Sequence, residues 1–211
     1  MMQPTDYEKL ANRIDGEVRQ DFLRRYMLST DGSIFQKIPA CVVYPRSTAD
    51  VASTVQFARE RGISVHSRGA GSGLCGAALG EGIVLDFSKY MNRLLDLDTE
   101  AKTFSCEPGY RFGELEAQLQ ETRLFFPPDP SSGEYATFGG MTSTNASGAH
   151  SVKYGNVADY LLDAELVLSD GTVTTLSEIR NTDPQDLPEN LFSLYRLYQE
   201  NGADIESAYP A

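Results

Sequence analysis

The stretch Phe125–Gly155, FFPPDPSSGEYATFGGMTSTNASGAHSVKYG, limits what this chain can fold into more than any other part of it. It joins a proline-rich turn, a double glycine and a run of small hydroxyl and amide residues, and closes on Tyr154-Gly155. A plain folding unit has little use for such a segment. Small side chains leave backbone amides uncovered, and glycine permits the dihedrals that let a backbone approach a ligand closely. A second loop of this kind precedes it, Ser67-Arg-Gly-Ala-Gly-Ser-Gly-Leu-Cys-Gly76. Two such loops in one chain predict that a large, phosphate-bearing cofactor lies between them.

Composition narrows the remaining classes. At 211 residues the chain can bury one sizeable core, or one core with two lobes. A net charge of −12 argues against a nucleic-acid surface and against docking on anionic lipid. It leaves a phosphate ligand open, because glycine-loop amides and helix N-termini hold anions without net basic charge. No apolar run approaches a membrane span, and the start of the chain lacks the apolar core of a secretion signal. Cys41, Cys75 and Cys106 are odd in number and widely spaced, forming neither a disulfide framework nor a metal clip. This favours a reducing, cytoplasmic compartment. With only His66 and His150, a histidine-rich metal site is not expected.

Along the chain, Tyr7–Tyr26 reads as two short helices broken at Gly16, and Leu28–Ser33 as a loop turning at Asp31-Gly32. Ala40–Tyr44 reads as a strand. A helix follows, with Ser47 as N-cap, Val51, Val55 and Ala58 on its apolar face, and Gly62 as its stop. Ile63–His66 is a strand entering the glycine loop and Gly82–Phe87 a strand leaving it, which predicts a small parallel sheet over the first ninety residues. Phe104–Glu107 is a further strand, Phe112–Glu121 a helix, and Asp163–Leu168 with Thr172–Leu176 a hairpin about Asp170-Gly171. Leu191, Leu194 and Leu197 mark a last short helix in a polar tail.

Gly71-Ser-Gly-Leu-Cys-Gly76 matches GxGxxG, but a strand beginning at Ile83 follows where a Rossmann loop would open a helix. Taken alone, it serves equally as a phosphate-binding loop or as a flexible surface loop. Asp129–Ser132 alone could be a turn, Thr137–Gly140 a close-packed helix entry, and Thr142–Ser147 a polar surface. Together, so many small polar residues line something.

These motifs occur in an order that resembles the FAD-binding domain of the vanillyl-alcohol oxidase flavoproteins, the PCMH-type domain. The matching pieces are Arg68–Gly73, Gly82–Arg93, Phe126–Ser132, Ala136–Gly140, Asn145–Gly148, Lys153–Gly155 and Leu166–Gly171. The resemblance is greatest to the D-lactate and glycolate dehydrogenase branch. It implies an α+β fold of two lobes, a small parallel sheet lobe (about 38–98) and an antiparallel sheet lobe with flanking helices (about 99–180). A helical segment, 1–37, precedes them, and a tail, 181–211, leads toward a cap domain. The opening Leu28–Phe35 further resembles large members with an iron–sulfur module, a candidate for the otherwise unspecified electron acceptor.

The resemblance also implies roles. Arg68, Gly69, Ala70, Gly71, Ser72, Gly73 and Leu74 would wrap the FAD pyrophosphate through backbone amides. Asp129, Pro130, Ser131 and Ser132, with Thr137, Gly139 and Gly140, would line the flavin and ribityl side. Thr144, Asn145, Ala146, Ser147 and Gly148 would continue that wall, Tyr154 and Gly155 would close it, and Val167 would meet the adenine. Ser72 stands where some members carry a flavin-tethering histidine, so FAD is expected to be non-covalent. Hydride would pass from a small 2-hydroxyacid to the flavin. The cap that supplies the catalytic base and any metal ligands is not in this sequence, so it reads as an N-terminal fragment with no catalytic residue of its own to name. No nucleic acid or membrane span is expected, and peripheral association with the inner membrane stays open. Competing readings are a non-catalytic nucleotide-binding module, a fragment that folds without flavin, and a relative of the UDP-linked enolpyruvyl reductase.

Overall fold

A computed structural model describes residues 4–208. They divide into two compact units: residues 4–162 with Val167–Val173, and Asp163–Leu166 with residues 174–208.

The first unit opens with α1 (Pro4–Ala11), β1 (Glu17–Arg19) and α2 (Phe22–Met27). The helical reading of Tyr7–Tyr26 is therefore corrected at its centre. Glu17–Arg19 pairs antiparallel with β2 (Cys41–Tyr44), and the ladder decides the conformation of a segment too short to show a period of its own. β2, β3 (Val65–Arg68) and β4 (Ile83–Asp86) are parallel in the order β1-β2-β4-β3. β2 and β4 are buried along their whole length, which explains their continuous apolar runs. Crossover helix α3 (Thr48–Glu60) is capped by Ser47, whose side chain accepts from Asp50 N, and the chain leaves it through Gly62 at φ 62°. Its buried face is Asp50, Val51, Thr54, Phe57 and Ala58. The Asp50 carboxylate there accepts from the backbone N–H groups of Asp15 and Arg46, both at 2.8 Å, so its burial is compensated. Leu10, Cys41, Val43, Phe57, Ile83 and Leu85 form the centre of this core.

A second cluster lies further along the chain. β5 (Leu94–Asp98), which the sequence reading passed over, pairs antiparallel with β6 (Thr103–Cys106), with an irregularity between Leu94 and Asp96. α4 (Phe112–Leu119) buries Phe112, Leu115 and Leu119 against Tyr110, Phe138 and Met141. Two short helices emerge inside the small-residue stretch, α5 (Phe138–Ser143) and α6 (Ser151–Tyr154). β7 (Glu165–Val167) and β8 (Val173–Thr175) form the expected hairpin.

The second unit carries α7 (Leu176–Asn181), α8 (Glu189–Glu200) and α9 (Gly202–Ala208). Thr175 and Glu178 make a reciprocal capping box at the start of α7. The short helix expected from Leu191–Leu197 is α8, which is longer than its leucines show and is not the last, since α9 follows it. Among the described residues no helix is long and apolar enough to cross a membrane.

Candidate functional site

β3 ends at Arg68 and releases the chain into the glycine loop; no helix follows before β4. Gly69, the first residue out, packs on the second loop. A Cβ at Gly69 would stand 1.9 Å from Thr137 Oγ1, so only glycine permits this approach. Thr137 is buried and is itself held on an isolated bridge to Arg111, while Phe138 N donates to Tyr110 O (2.9 Å) and Gly139 N to Pro108 O (2.8 Å). The rigid turn at Pro108–Arg111 thus carries the start of α5 to the mouth of the glycine loop.

The residues that fix the loops are buried; the small ones they present are not. Arg68, Pro128, Pro130, Thr137, Phe138 and Met141 are buried, whereas Ala70, Ser72, Gly73, Leu74, Gly140, Thr144, Asn145 and Ser147 are exposed. The Arg68 guanidinium lies beneath Gly71, where a Cβ would be 2.4 Å from Nη2, and Gly71 has φ 69°. Arg68 Nη1 is buried with no hydrogen-bond partner among the described residues. Burial pulls this guanidinium below its ordinary pKa, and Asp86, then Asp31, act in the opposite direction.

The second wall is closed by backbone contacts. Pro130 and Gly148 form an antiparallel bridge, and a Cβ at Gly148 would fall 1.6 Å from Asp129 O. Asp129 takes φ 37° and Asn145 φ 45°, unusual for residues with side chains. The Asn145 side chain accepts from Ala158 N (2.9 Å), and Ala146 N donates to Met141 O (2.8 Å). Asp129 Oδ2 lies 3.4 Å from His150 Nδ1, and His150 and Phe125 both meet the Tyr154 ring edge-on. Gly155 takes φ 84° and ends α6. Ser131 is exposed and Ser132 half-buried just before the single turn Gly133–Tyr135.

Of the residues expected at the site, the structure brings Gly69 to Thr137, Asp129 and Pro130 to Gly148, and places Arg68 under Gly71. Leu74 stands at an exposed rim, and Val167 packs against the first hydrophobic cluster. Gly32, read only as a turn residue, donates its N–H to Gly71 O (2.9 Å). No local sequence signal announces that contact, which spans the chain from one loop to another. Among the described residues no three acidic, histidine or cysteine side chains gather as a metal site would require.

Comparison with known proteins accords with this geometry. The family described as "FAD binding domain" matches residues 39–177. The chain is 36% identical over 193 residues to the D-2-hydroxyglutarate dehydrogenase of Pantoea ananatis, covering 90% of this chain and 19% of that protein. It is 34% identical over 141 residues to glycolate oxidase subunit GlcD of Bacillus subtilis, covering 66% of this chain and 30% of the relative. The fold is similar to that of alkyldihydroxyacetonephosphate synthase, with a TM-score of 0.73 and 25% identity over 83% of this chain and 35% of that one. The chain therefore spans about a fifth of the D-2-hydroxyglutarate dehydrogenase it matches. On its motifs, its fold and this family match, the chain belongs to the PCMH-type FAD-binding domain family of flavoproteins.

Proposed function

We propose that this chain binds FAD non-covalently, as the cofactor-holding part of a flavin-dependent dehydrogenase or oxidase of small 2-hydroxyacids. One observation carries the reading: the Gly69–Thr137 approach joins two exposed rows of small residues above a buried arginine whose Nη1 has no hydrogen-bond partner among the described residues. These residues fit the cofactor. A diphosphate needs backbone donors it can approach closely and a positive charge nearby, and the glycine loop over Arg68 supplies both. When bound, FAD supplies the two-electron acceptor for oxidation of the hydroxyl-bearing carbon. This chain's residues bind and orient it: Arg68–Leu74 at the diphosphate, Asp129–Ser132 and Thr137–Gly140 along the flavin side, Thr144–Gly148 and Tyr154–Gly155 beyond, and Val167 at the adenine.

Ser72 offers no imidazole for a covalent link. His66 is engaged elsewhere, its Nε2 3.1 Å from Ser64 Oγ and its ring against Gly80. Asp129, within the second loop, lies against His150, and two carboxylates that follow the loop hold backbone amides. Asp159 accepts from Asn156 N (2.8 Å), and Asp163 accepts from Ala164 N (2.8 Å) and Ser177 N (3.0 Å). No proton transfer is assigned to them. The 2-hydroxyacid substrate class is suggested by the D-2-hydroxyglutarate and glycolate relatives and belongs to the whole protein; an iron–sulfur module as electron acceptor rests on the resemblance of Leu28–Phe35, and a cytoplasmic setting on the spacing of the three cysteines.

The test is titration of the chain with FAD, read by flavin fluorescence and melting temperature. Saturable uptake should stabilise the fold by about 2.7 kcal/mol at a hundredfold excess over Kd. Acid precipitation should leave all flavin in the supernatant. A folded chain that takes up no FAD would overturn the reading, and flavin retained in the pellet would overturn its non-covalent part.

A further inference from the structure

Residues 29–37 form a loop closed on itself at its base. Lys37 N donates to Ser29 O (2.9 Å), Thr30 and Gln36 make an isolated antiparallel bridge, and Gln36 Nε2 donates to Ser29 Oγ (3.0 Å). Ser29 is fully buried, and its hydroxyl donates to Tyr26 O (2.7 Å). Inside the loop, Asp31 Oδ1 accepts from Ser33 N (2.8 Å) and Ser33 Oγ from Phe35 N (3.1 Å). The tip rests on the glycine loop. Gly32 N donates to Gly71 O, a Cβ at Gly32 would stand 2.6 Å from Ser72 O, and the Phe35 ring lies 3.0 Å from where a Cβ at Gly76 would be. Asp31 Oδ2 and Arg68 Nη1 are both buried without a hydrogen-bond partner among the described residues.

A trans peptide is planar, so its C=O and the N–H of the next residue point in opposite directions. With the Gly71 carbonyl committed to Gly32, the Ser72 N–H must point away from residues 29–37. That N–H has no partner among the described residues. We propose that residues 29–37 are a strap that sets the orientation of the glycine-loop peptides, with Asp31 and Gly32 as positioning residues for a diphosphate ligand. The identity of that ligand rests on the FAD reading above; the strap itself does not. Asp31 acts on the arginine beneath the loop, Gly32 on its backbone, and neither need touch the ligand.

Hydrogen exchange on the 211-residue chain tests the strap without any ligand, and titration with FAD and with ADP tests its consequence. In Gly32→Ala, the amide of residue 32, which donates to Gly71 O, should exchange at least tenfold faster while those of β2 and β4 keep their protection. The dissociation constants for FAD and ADP, which share the diphosphate, should rise together by at least tenfold. Asp31→Asn adds no heavy atoms and serves if Gly32→Ala does not fold; it should raise exchange at the Gly32 amide and both constants by at least threefold. Glu81→Ala, which lies outside the strap and removes an exposed pair with Lys37, should leave all of these unchanged. Unchanged exchange at residue 32 in Gly32→Ala and Asp31→Asn overturns the proposal, as does faster exchange with unaltered affinity. A wild-type chain that takes up neither ligand refutes the FAD reading and the positioning role, while the exchange result still decides whether the strap holds the loop.

Discussion

Substituting Gly69 by alanine puts a methyl group 1.9 Å from Thr137 Oγ1, where ordinary contact begins at 3.4 Å. The two loops would have to part by about 1.5 Å, or Thr137 would have to move within a buried site, and overpacking of this kind costs about 1–3 kcal/mol. Thr137 is 3% exposed, so its side chain has little room to swing aside. Removing the hydroxyl and methyl relieves most of the conflict: with alanine at Thr137, the next atom, its Cβ, stands 3.1 Å away. Gly69→Ala alone should therefore lower stability by about 2 kcal/mol, moving the urea midpoint by about 1 M for a slope of about 2 kcal/mol/M. Gly69→Ala with Thr137→Ala should recover at least about 1 kcal/mol relative to additive behaviour, a coupling expected of residues in contact. Urea unfolding of the four proteins measures this directly. Effects that add within about 0.5 kcal/mol would refute the claim that these two residues hold the loops together.

Two further outcomes follow from side-chain environments. Hydrogen bonds from Lys89, Tyr90 and Arg19 hold the Glu17 carboxyl down to about 2, against an ordinary value of 4.5. A depressed carboxyl stabilises the fold above its unfolded pKa and loses that contribution as pH falls through the folded one. The difference in urea midpoint between the wild type and Glu17→Gln should thus be full at neutral pH and shrink between pH 4.5 and 2; a difference that does not change with pH would contradict the network. Burial pushes the Cys41 and Cys106 thiols up to about 12, whereas Cys75 is exposed on the glycine loop. A disulfide reagent at pH 8 should modify Cys75 rapidly and the other two only after denaturation, since the thiolate is the reactive form; fast reaction of Cys41 would contradict its placement in the core.

The parts of this protein that were legible in the sequence are those whose signals are local. Ser47 with Asp50 and Gly62 marked both ends of α3, and the Asp170-Gly171 turn marked a hairpin. The apolar runs at Cys41–Tyr44 and Ile83–Asp86 marked buried parallel strands. Glu17–Arg19 was misread because three residues show no period, and only their ladder to Val42–Tyr44 makes them a strand. Only a helix entry at Thr137–Gly140 was readable for α5, whose residues have poor helix propensity and where packing of Phe138 and Met141 into the second cluster offsets the propensity cost; α6, four residues with none buried, had no signal.

What the sequence by itself determined was the chemistry on offer: two glycine-rich loops with small side chains, joined to strands and helices of ordinary pattern, in the order of a flavoprotein domain. What only the tertiary structure decided was their juxtaposition. The contact of Gly69 with Thr137, the bridge of Pro130 to Gly148 and the docking of Gly32 on Gly71 each join residues distant in the chain. A local pattern can show that a glycine is needed for close approach, but not which backbone approaches it. That partner is chosen by the burial of two apolar clusters and by the closing of their backbone hydrogen bonds, both properties of the whole fold.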